Sequence, residues 1–290
     1  MSKTITELLY QARILKFFNY TSTVKINNKG FKIPIMGEMG YTNLSTSEPW
    51  MTRLLEILLP QSSGNFLDVG ANIGQTLLKL RSVNPKINYL GFEPNAGCLF
   101  YLRRLIEANN IQFAKIIPVG ISEKTGIGKL NFFYADDADS CASMLEDFRS
   151  KKVYRKEYIP LFHYEELIPD LKEKTAFLKV DVEGGELEVL KSFKSKIASD
   201  KPFILLEILP VYKPENLDRK NRQDAIQDLL NSLQYSLYRI YKKDGMFNAI
   251  NKVNDIGIHS NLEECDYVAV PSAKTEEFLE RIEDYKIKIA

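Results

Sequence analysis

The residues best suited to chemistry in this 290-residue chain are acidic, and each stands at or just after the end of a short apolar run. Phe66-Leu67-Asp68-Val69-Gly70-Ala71-Asn72-Ile73-Gly74 joins one carboxylate to a turn with two glycines. Gly91-Phe92-Glu93-Pro94-Asn95 places another carboxylate 23 positions after Gly70. Lys179-Val180-Asp181-Val182-Glu183-Gly184-Gly185-Glu186 and Leu205-Leu206-Glu207-Ile208 add Asp181, Glu183 and Glu207. Ligands of open parallel sheets bind outside the carboxyl ends of the strands, where the strand order reverses. Acids at successive strand tips would therefore face one shared ligand.

The first turn decides between two nucleoside cofactors. A nicotinamide site needs Gly-x-Gly-x-x-Gly so that backbone amides can approach a pyrophosphate. Counting from Gly70, the second and third glycines are replaced by Asn72 and Gln75. The turn offers acceptors instead, the Asp68 carboxylate and the Asn72 amide oxygen. These suit the ammonium and sulfonium of S-adenosylmethionine, while Gly70 and Gly74 let the backbone pass close to a ligand. Glu93, at the second strand tip, is placed to accept both ribose hydroxyls, beside Asn95 as a helix cap. At the third tip, Gly120-Ile121-Ser122-Glu123, Ser122 or a nearby amide would read the adenine amine.

Asp181 and Glu183 point the same way at extended spacing, over the edge where a transferable methyl would lie. They could accept a proton, orient a hydroxyl or hold a divalent cation. Asp181 with Glu207 resembles the metal-holding pair of metal-dependent O-methyltransferases, although direct proton acceptance is the preferred reading. The fourth tip lacks the Asn/Asp-Pro-Pro-Tyr/Phe stretch that clamps a nucleobase amine, so a hydroxyl acceptor fits better. His259, in the 243–265 connection, would reach the same edge if the last strand is antiparallel, with the intrinsic pKa of a general base. His163 is the other histidine. Tyr41, Trp50, Tyr158, Phe162 and Tyr164 could supply an aromatic platform for a sugar.

Several segments together resemble the FkbM-type methyltransferases over roughly residues 40–210. They are Glu48-Pro49, Leu67 to Gly74, Phe92-Glu93-Pro94-Asn95, and the specific block Leu178-Lys179-Val180-Asp181-Val182-Glu183-Gly184-Gly185-Glu186-Leu187-Glu188-Val189-Leu190. The resemblance implies S-adenosylmethionine as cofactor, Glu48 at its site, and O-methylation of a hydroxyl on a sugar, polysaccharide or polyketide. The chain departs from the family where His163-Tyr164-Glu165 replaces a Thr-Leu-Asp stretch.

The elements that must position these residues alternate. Apolar strands at 66–69, 89–92, 115–119, 176–180 and 203–208 are separated by helix-length segments such as 74–83, 96–109 and 186–198. Such repetition predicts a doubly wound, mostly parallel α/β sheet covered on both faces. Strands at 236–242 and 266–270 would end it antiparallel, giving the seven-stranded, Rossmann-like sheet of class I methyltransferases, before a helix at 273–285. Residues 1–63 read as an extension to a catalytic domain at 64–290. It holds a helix at 5–18 capped by a Thr4–Glu7 box and packed on its own domain, a hairpin around Asn27–Gly30, and a helix near 48–59 capped by Thr46 or Ser47.

Bulk composition excludes several classes. Lys and Arg number 39 against 38 Asp and Glu, so the basic excess that grips nucleic acid is missing. No apolar run approaches the ~20 residues of a membrane span, and no signal peptide is evident, so a cytoplasmic enzyme is expected. Cys98, Cys141 and Cys265 are too scattered for a zinc site or disulfide framework and read as reduced thiols. The expected partner is a small-molecule or glycan acceptor, with a homodimer possible. The competing readings are a catalytically silent methyltransferase-like scaffold and, less favoured, a nicotinamide-dependent oxidoreductase.

Overall fold

The computed structural model describes residues 3–45, 48–59, 63–134, 139, 142–145, 152–167, 173–285 and 288–289. The extension runs α1 (Lys3–Gln11), β1 (Asn19–Ile26), β2 (Lys29–Met36) and α2 (Pro49–Leu58). The alternating region follows as β3 (Asn65–Val69), α3 (Gln75–Val83), β4 (Tyr89–Phe92), α4 (Ala96–Ala108) and β5 (Ala114–Ile117). Next come β6 (Gly120–Ile121), β7 (Gly126–Phe132), β8 (Arg155–Phe162), α5 (Tyr164–Leu167), β9 (Thr175–Val180), α6 (Glu186–Ser192), α7 (Lys194–Asp200) and β10 (Phe203–Glu207). The chain closes with α8 (Leu217–Ser232), β11 (Tyr235–Lys243), β12 (Met246–Val253), β13 (Asp266–Pro271), α9 (Thr275–Asp284) and β14 (Lys288–Ile289).

The main sheet has the order β14-β12-β11-β13-β10-β9-β3-β4-β5. Five neighbours, β10-β9-β3-β4-β5, are parallel, and β13 enters antiparallel between β10 and β11. This is the doubly wound, mostly parallel Rossmann-like sheet that the alternation predicts, with its switch point between β3 and β9. Adjacent strand residues face opposite sides, so both layers need apolar partners. Phe66, Phe177 and Phe203 pack with Leu54, Leu77 and Phe278 on one face. Leu67, Leu178 and Ile204 pack with Leu190, Phe193 and Ile226 on the other. Among the described residues, no helix is long and apolar enough to cross a membrane.

The sheet exceeds the expected seven strands by β12 and β14. The 243–265 connection is not an unstructured link. Asp244 (φ 53°) and Gly245 (φ 73°) both take the left-handed conformation that closes a tight hairpin into β12. Helix α8 and the small sheet β6-β8-β7 likewise lack a strong apolar period and were not expected. The 186–198 helix is broken at Phe193, which ends α6 and starts α7.

The extension holds the hairpin, turned by left-handed Asn27 and Asn28. Asn109 ties β2 to α4, accepting from the Lys32 amide and donating to its carbonyl, each at 2.7 Å. Helix α1 departs from expectation. It already includes Lys3, so Thr4 lies inside it rather than capping, and Glu7 pairs with Lys3 at 3.9 Å. It ends at Gln11 because Arg13 turns left-handed, and Thr6 faces inward while Ile5 and Leu8 stay exposed. Glu48, at φ 52°, is the N-cap of α2, with Pro49 in the first turn. Thr46 and Ser47, expected to cap it, lie outside the described residues, as does Cys141.

Gly70 fixes how closely β3 and β9 approach at the switch point. It sits at φ +88°, and a Cβ there would fall 1.9 Å from the Asp181 carbonyl oxygen. Both the left-handed conformation and the backbone contact penalise any side chain. Gly70→Ala should destabilise the protein by more than ~2 kcal/mol in denaturant unfolding; a loss below ~0.5 kcal/mol would show that the two tips can separate freely.

Candidate functional site

A cavity of about 490 Å³ opens at the carboxyl edge of β3, β4, β9 and β10. Its wall includes Glu48, Gly70, Asn72, Glu93, Asn95, Lys179, Asp181, Glu183 and Glu207. The turn after β3 is pinned from both sides. Gly70 and Ala71 donate their amides to the Phe92 carbonyl at 3.0 and 3.1 Å, and Asp181 donates its amide to the Val69 carbonyl at 3.1 Å.

Glu93 is held rigidly at the tip of β4. Its Oε2 accepts from the Asn72 amide and its Oε1 from the Asn95 amide, both at 2.8 Å. Each oxygen keeps a second lone pair. Burial pushes its carboxyl up to about 7, against the pull of those two amides. Asn95 caps α4, its Oδ1 accepting from Gly97 and Cys98. Its Nδ2 is buried with no acceptor among the described residues. The β4 side of the cavity therefore carries a fixed carboxyl with a lone pair on each oxygen left for hydroxyl donors.

The opposite side is built on Lys179. Only 6% exposed, this ammonium reaches Asp181 at 3.0 Å and Asp68 at 3.4 Å. Burial alone would disfavour its charge, but Asp181 and then Asp68 hold it firmly protonated. Burial would also raise Asp181, yet Lys179, a hydrogen bond with Glu207, and Lys79 bring it below the usual 3.8. Glu207 moves the other way, well above 4.5, through burial and the adjacent Asp181 charge. Two carboxyl groups can share a hydrogen bond only through a proton, and that proton resides on Glu207. Among the described residues, no group of three or more His, Cys, Asp or Glu side chains is placed to hold a metal ion.

Several expected ligand contacts are placed differently. Asp68 is fully buried beneath the turn, where the Tyr89 hydroxyl donates to it at 2.7 Å; it supports the loop rather than lining the cavity. Asn72 lines the cavity, but its Oδ1 turns inward to accept from the Ile73 amide at 2.7 Å and the Cys98 thiol at 3.4 Å. Gly74 (φ +83°) is required by packing: a Cβ would meet Leu102 at 2.6 Å. The Ser122 amide is used by the Phe162 carbonyl at 3.0 Å, and Gly120 and Ile121 line the cavity in its place.

His259 does lie on a segment bridged to Val211 at the carboxyl edge, but outside the cavity wall. There burial, and then Arg239, hold its pKa below 6.5. His163 also stays outside, its amide donating to Thr125. The aromatics do not gather into a platform. Trp50 and Tyr164 are core residues, Tyr158 is exposed, Phe162 packs against the core, and Tyr41 stacks on Tyr10 at 4.0 Å.

Two supporting ion pairs were not anticipated. Lys79, 3% exposed on α3, donates to Glu48 at 2.7 Å. Arg222 of α8 grips Glu188 with both nitrogens and donates to the Gly184 carbonyl at 2.8 Å, which fixes the loop after β9. The clue to Lys79 was its place on the buried face of α3, one turn after Gln75.

Glu93 and Glu186 are both buried carboxyls raised from 4.5 to about 7 by burial. Their folded pKa exceeds the unfolded value, so the stability they favour is fully present below ~4.5 and lost as pH rises through ~7. Replacing Glu93 by Gln should flatten this fall by on the order of 2–3 kcal/mol between pH 4.5 and 7.5 in denaturant titrations. An unchanged slope in the variant would place the Glu93 carboxyl in contact with water.

Comparison with known proteins adds the family. The model of the methyltransferase FkbM domain matches residues 68–240. "Methyltransferase 1" of Beauveria bassiana (strain ARSEF 2860) is 26% identical over 141 residues, 43% of this chain and 56% of that relative. The matched region thus spans little more than half the length of the curated relative. Among solved structures, methyltransferase FkbM from Methylobacillus flagellatus KT aligns at 18% identity and a TM-score of 0.44, covering 71% of this chain and 43% of that one. A precorrin-6y C5,15-methyltransferase from Geobacter metallireducens GS-15 aligns at 11% identity and 0.41, covering 76% and 87%. The family match takes in more than half of the chain, from the end of β3 into β11 and across the Lys179–Glu207 edge, and the chain belongs to the FkbM methyltransferase family.

Proposed function

We propose that this chain is an S-adenosylmethionine-dependent O-methyltransferase that acts on a hydroxyl of a sugar, polysaccharide or polyketide-type molecule. One observation carries the reading: a single cavity joins the fixed Glu93 acceptor, at the nucleoside side, to the proton-sharing Asp181–Glu207 pair. Glu93 would accept the ribose hydroxyls, held in place by the amides of Asn72 and Asn95. Glu48 and Asp181, each already paired with a lysine, line the remaining wall with Glu183, whose carboxylate would face the cationic end of the cofactor. The bound cofactor would supply an electrophilic methyl on a sulfonium.

The protein's own part is to place the acceptor hydroxyl and take its proton. Asp181, kept ionised by Lys179, accepts a hydrogen bond from that hydroxyl and aims its oxygen. With the shared proton still on Glu207, the pair is a weak base, since Asp181 lies below its usual range. Once Glu207 has lost that proton, the pair can take the hydroxyl proton at Asp181 and share it with Glu207.

Calorimetric titration with S-adenosylmethionine, S-adenosylhomocysteine and NAD tests the cofactor: the first two should bind and NAD should not. Glu93→Ala should weaken S-adenosylmethionine by about 1.5–3 kcal/mol, the scale of charge-assisted hydrogen bonds. Asp181→Asn should leave that affinity within a few-fold while turnover on a hydroxyl acceptor falls ~100-fold. Binding of NAD alone, or full turnover in Asp181→Asn, would refute the reading.

The pair also sets a pH dependence. Turnover should rise with pH through an ionisation well above 4.5, as the proton leaves Glu207. Glu207→Gln, which keeps a donor toward Asp181 but cannot ionise, should abolish that rise. A profile unchanged in this variant would assign the ionisation elsewhere.

A further inference from the structure

Helix α1 and the turn after it present apolar side chains to solvent, where a helix lying on its own domain carries polar ones. The inward side of α1 is made by Thr6, which accepts from the Tyr20 hydroxyl at 2.7 Å, and by Leu9, packed against the core. Ile5 and Leu8, each one position earlier and three residues apart, share a neighbouring face. Both remain exposed, Leu8 at 60%. Beyond the helix Leu15 is fully buried, while Ile14 and Phe18 stay exposed and Phe17 stands 73% exposed. Apolar exposure this dense marks a surface that meets something.

The charge of the same unit says what it meets. Residues 1–36 hold six basic residues and one acid, Glu7, for a net charge of +5. The whole chain carries +1, so residues 37–290 carry −4. Glu7 is already paired with Lys3 at 3.9 Å. Lys16 holds its ammonium 5.2 Å from the centre of the Phe17 ring, so a cation accompanies the most exposed of these aromatics. On the hairpin, Lys32 stands opposite Thr23 and Lys25 lies two residues along from Thr23, so both lysines occupy its exposed face. Arg13, Lys16, Lys25 and Lys32 make no ion pair among the described residues. Apolar side chains interspersed with cations match an anionic lipid surface, where the rings enter the acyl boundary and the cations stay at the phosphates. A second copy of the unit fits worse, because it would set one cluster of positive charge against another.

We propose that α1 and the turn after it dock the chain on an anionic membrane surface as a peripheral anchor that does not span the bilayer. Ile5, Leu8, Ile14, Phe17 and Phe18 would enter the lipid, with Arg13 and Lys16 at the headgroups. The docked unit is continuous with the Glu93–Asp181 cavity: Tyr10 stacks on Tyr41 at 4.0 Å, and the residues on either side of Tyr41, Gly40 and Thr42, line that cavity. The docking itself does not depend on the methyltransferase reading.

The test is co-flotation of the full chain with vesicles of phosphatidylcholine, alone or mixed with phosphatidylglycerol, at low and high salt. The chain should float with the mixed vesicles and stay behind with phosphatidylcholine alone. It should leave the mixed vesicles as salt rises, because screening weakens the electrostatic attraction. Leu8→Ser combined with Phe17→Ser should lower the partition coefficient at least about tenfold. Arg13→Glu combined with Lys16→Glu, also at exposed positions, should lower it at least about tenfold. The proposal is overturned if the wild-type chain fails to bind the mixed vesicles, binds phosphatidylcholine equally well, or keeps full binding in either double variant. Sedimentation velocity tests the other occupant: a wild-type dimer that Leu8→Ser with Phe17→Ser dissociates would assign this face to a second copy and overturn the lipid.

Discussion

Lys179 stands on β9 in register with Asp68 of β3, at the two strands whose tips form the switch point, and places one ammonium against Asp68 and against Asp181 after β9. Its near-complete burial makes the arrangement interdependent. Removing one partner of a buried ion pair leaves an uncompensated charge, typically at a cost of 3–5 kcal/mol. Without the lysine, Asp68 would keep only the Tyr89 hydroxyl beneath the turn, and burial, which already raises its carboxyl, would drive it toward the neutral form. Asp181 would lose the charge that keeps it ionised. One side chain thus secures the turn that shapes the cavity and sets the protonation of the edge where chemistry would occur.

The rest of the site is arranged around that ion. Because Asp181 is ionised, Glu207 must hold the shared proton, and the acids on the wall are unequal although their residue types are alike. Glu93, two strands away, is raised by burial and fixed by two backbone amides. It can accept hydroxyl donors without moving, so little ordering is needed when a ligand arrives. The loop after β9 cannot drift from Lys179 because Arg222 of α8 grips Gly184 and Glu188. On the other flank, the extension brings Glu48 over α3 to meet Lys79, which makes residues before β3 part of the cavity wall.

The sheet and the acids of the edge were legible because they obey strong local rules. Continuous apolar strands followed by helices identify a parallel sheet, and its carboxyl edge then locates Glu93, Asp181, Glu183 and Glu207 together. What escaped depends on contacts distant in sequence. Nothing local shows that Asp68 lies under the loop, since its partners Tyr89 and Lys179 come from other strands. The inward turn of the Asn72 amide depends on Cys98 in the following helix. Gly74 looks like a ligand-approach glycine but answers to Leu102 and Leu105. His259 reaches the carboxyl edge through the Val211–Ile258 bridge, yet it lies near Arg239 and outside the cavity wall. Strand β12 was missed despite an Asp244-Gly245 hairpin signal, because its flanking residues are too polar to show a clear period.

Lys179 divides the carboxyl edge into an ionised Asp181, held below its usual range, and a Glu207 raised above its own. Side-chain carboxyl carbon-13 NMR across pH 4–9, assigned with Asp181→Asn and Glu207→Gln, measures this directly. The Asp181 carbon should keep its ionised shift over the whole range, while the Glu207 carbon should keep its protonated shift well past the usual glutamate range near 4.5. A Glu207 signal that titrates near 4.5, or an Asp181 signal still protonated at pH 6, would contradict this division.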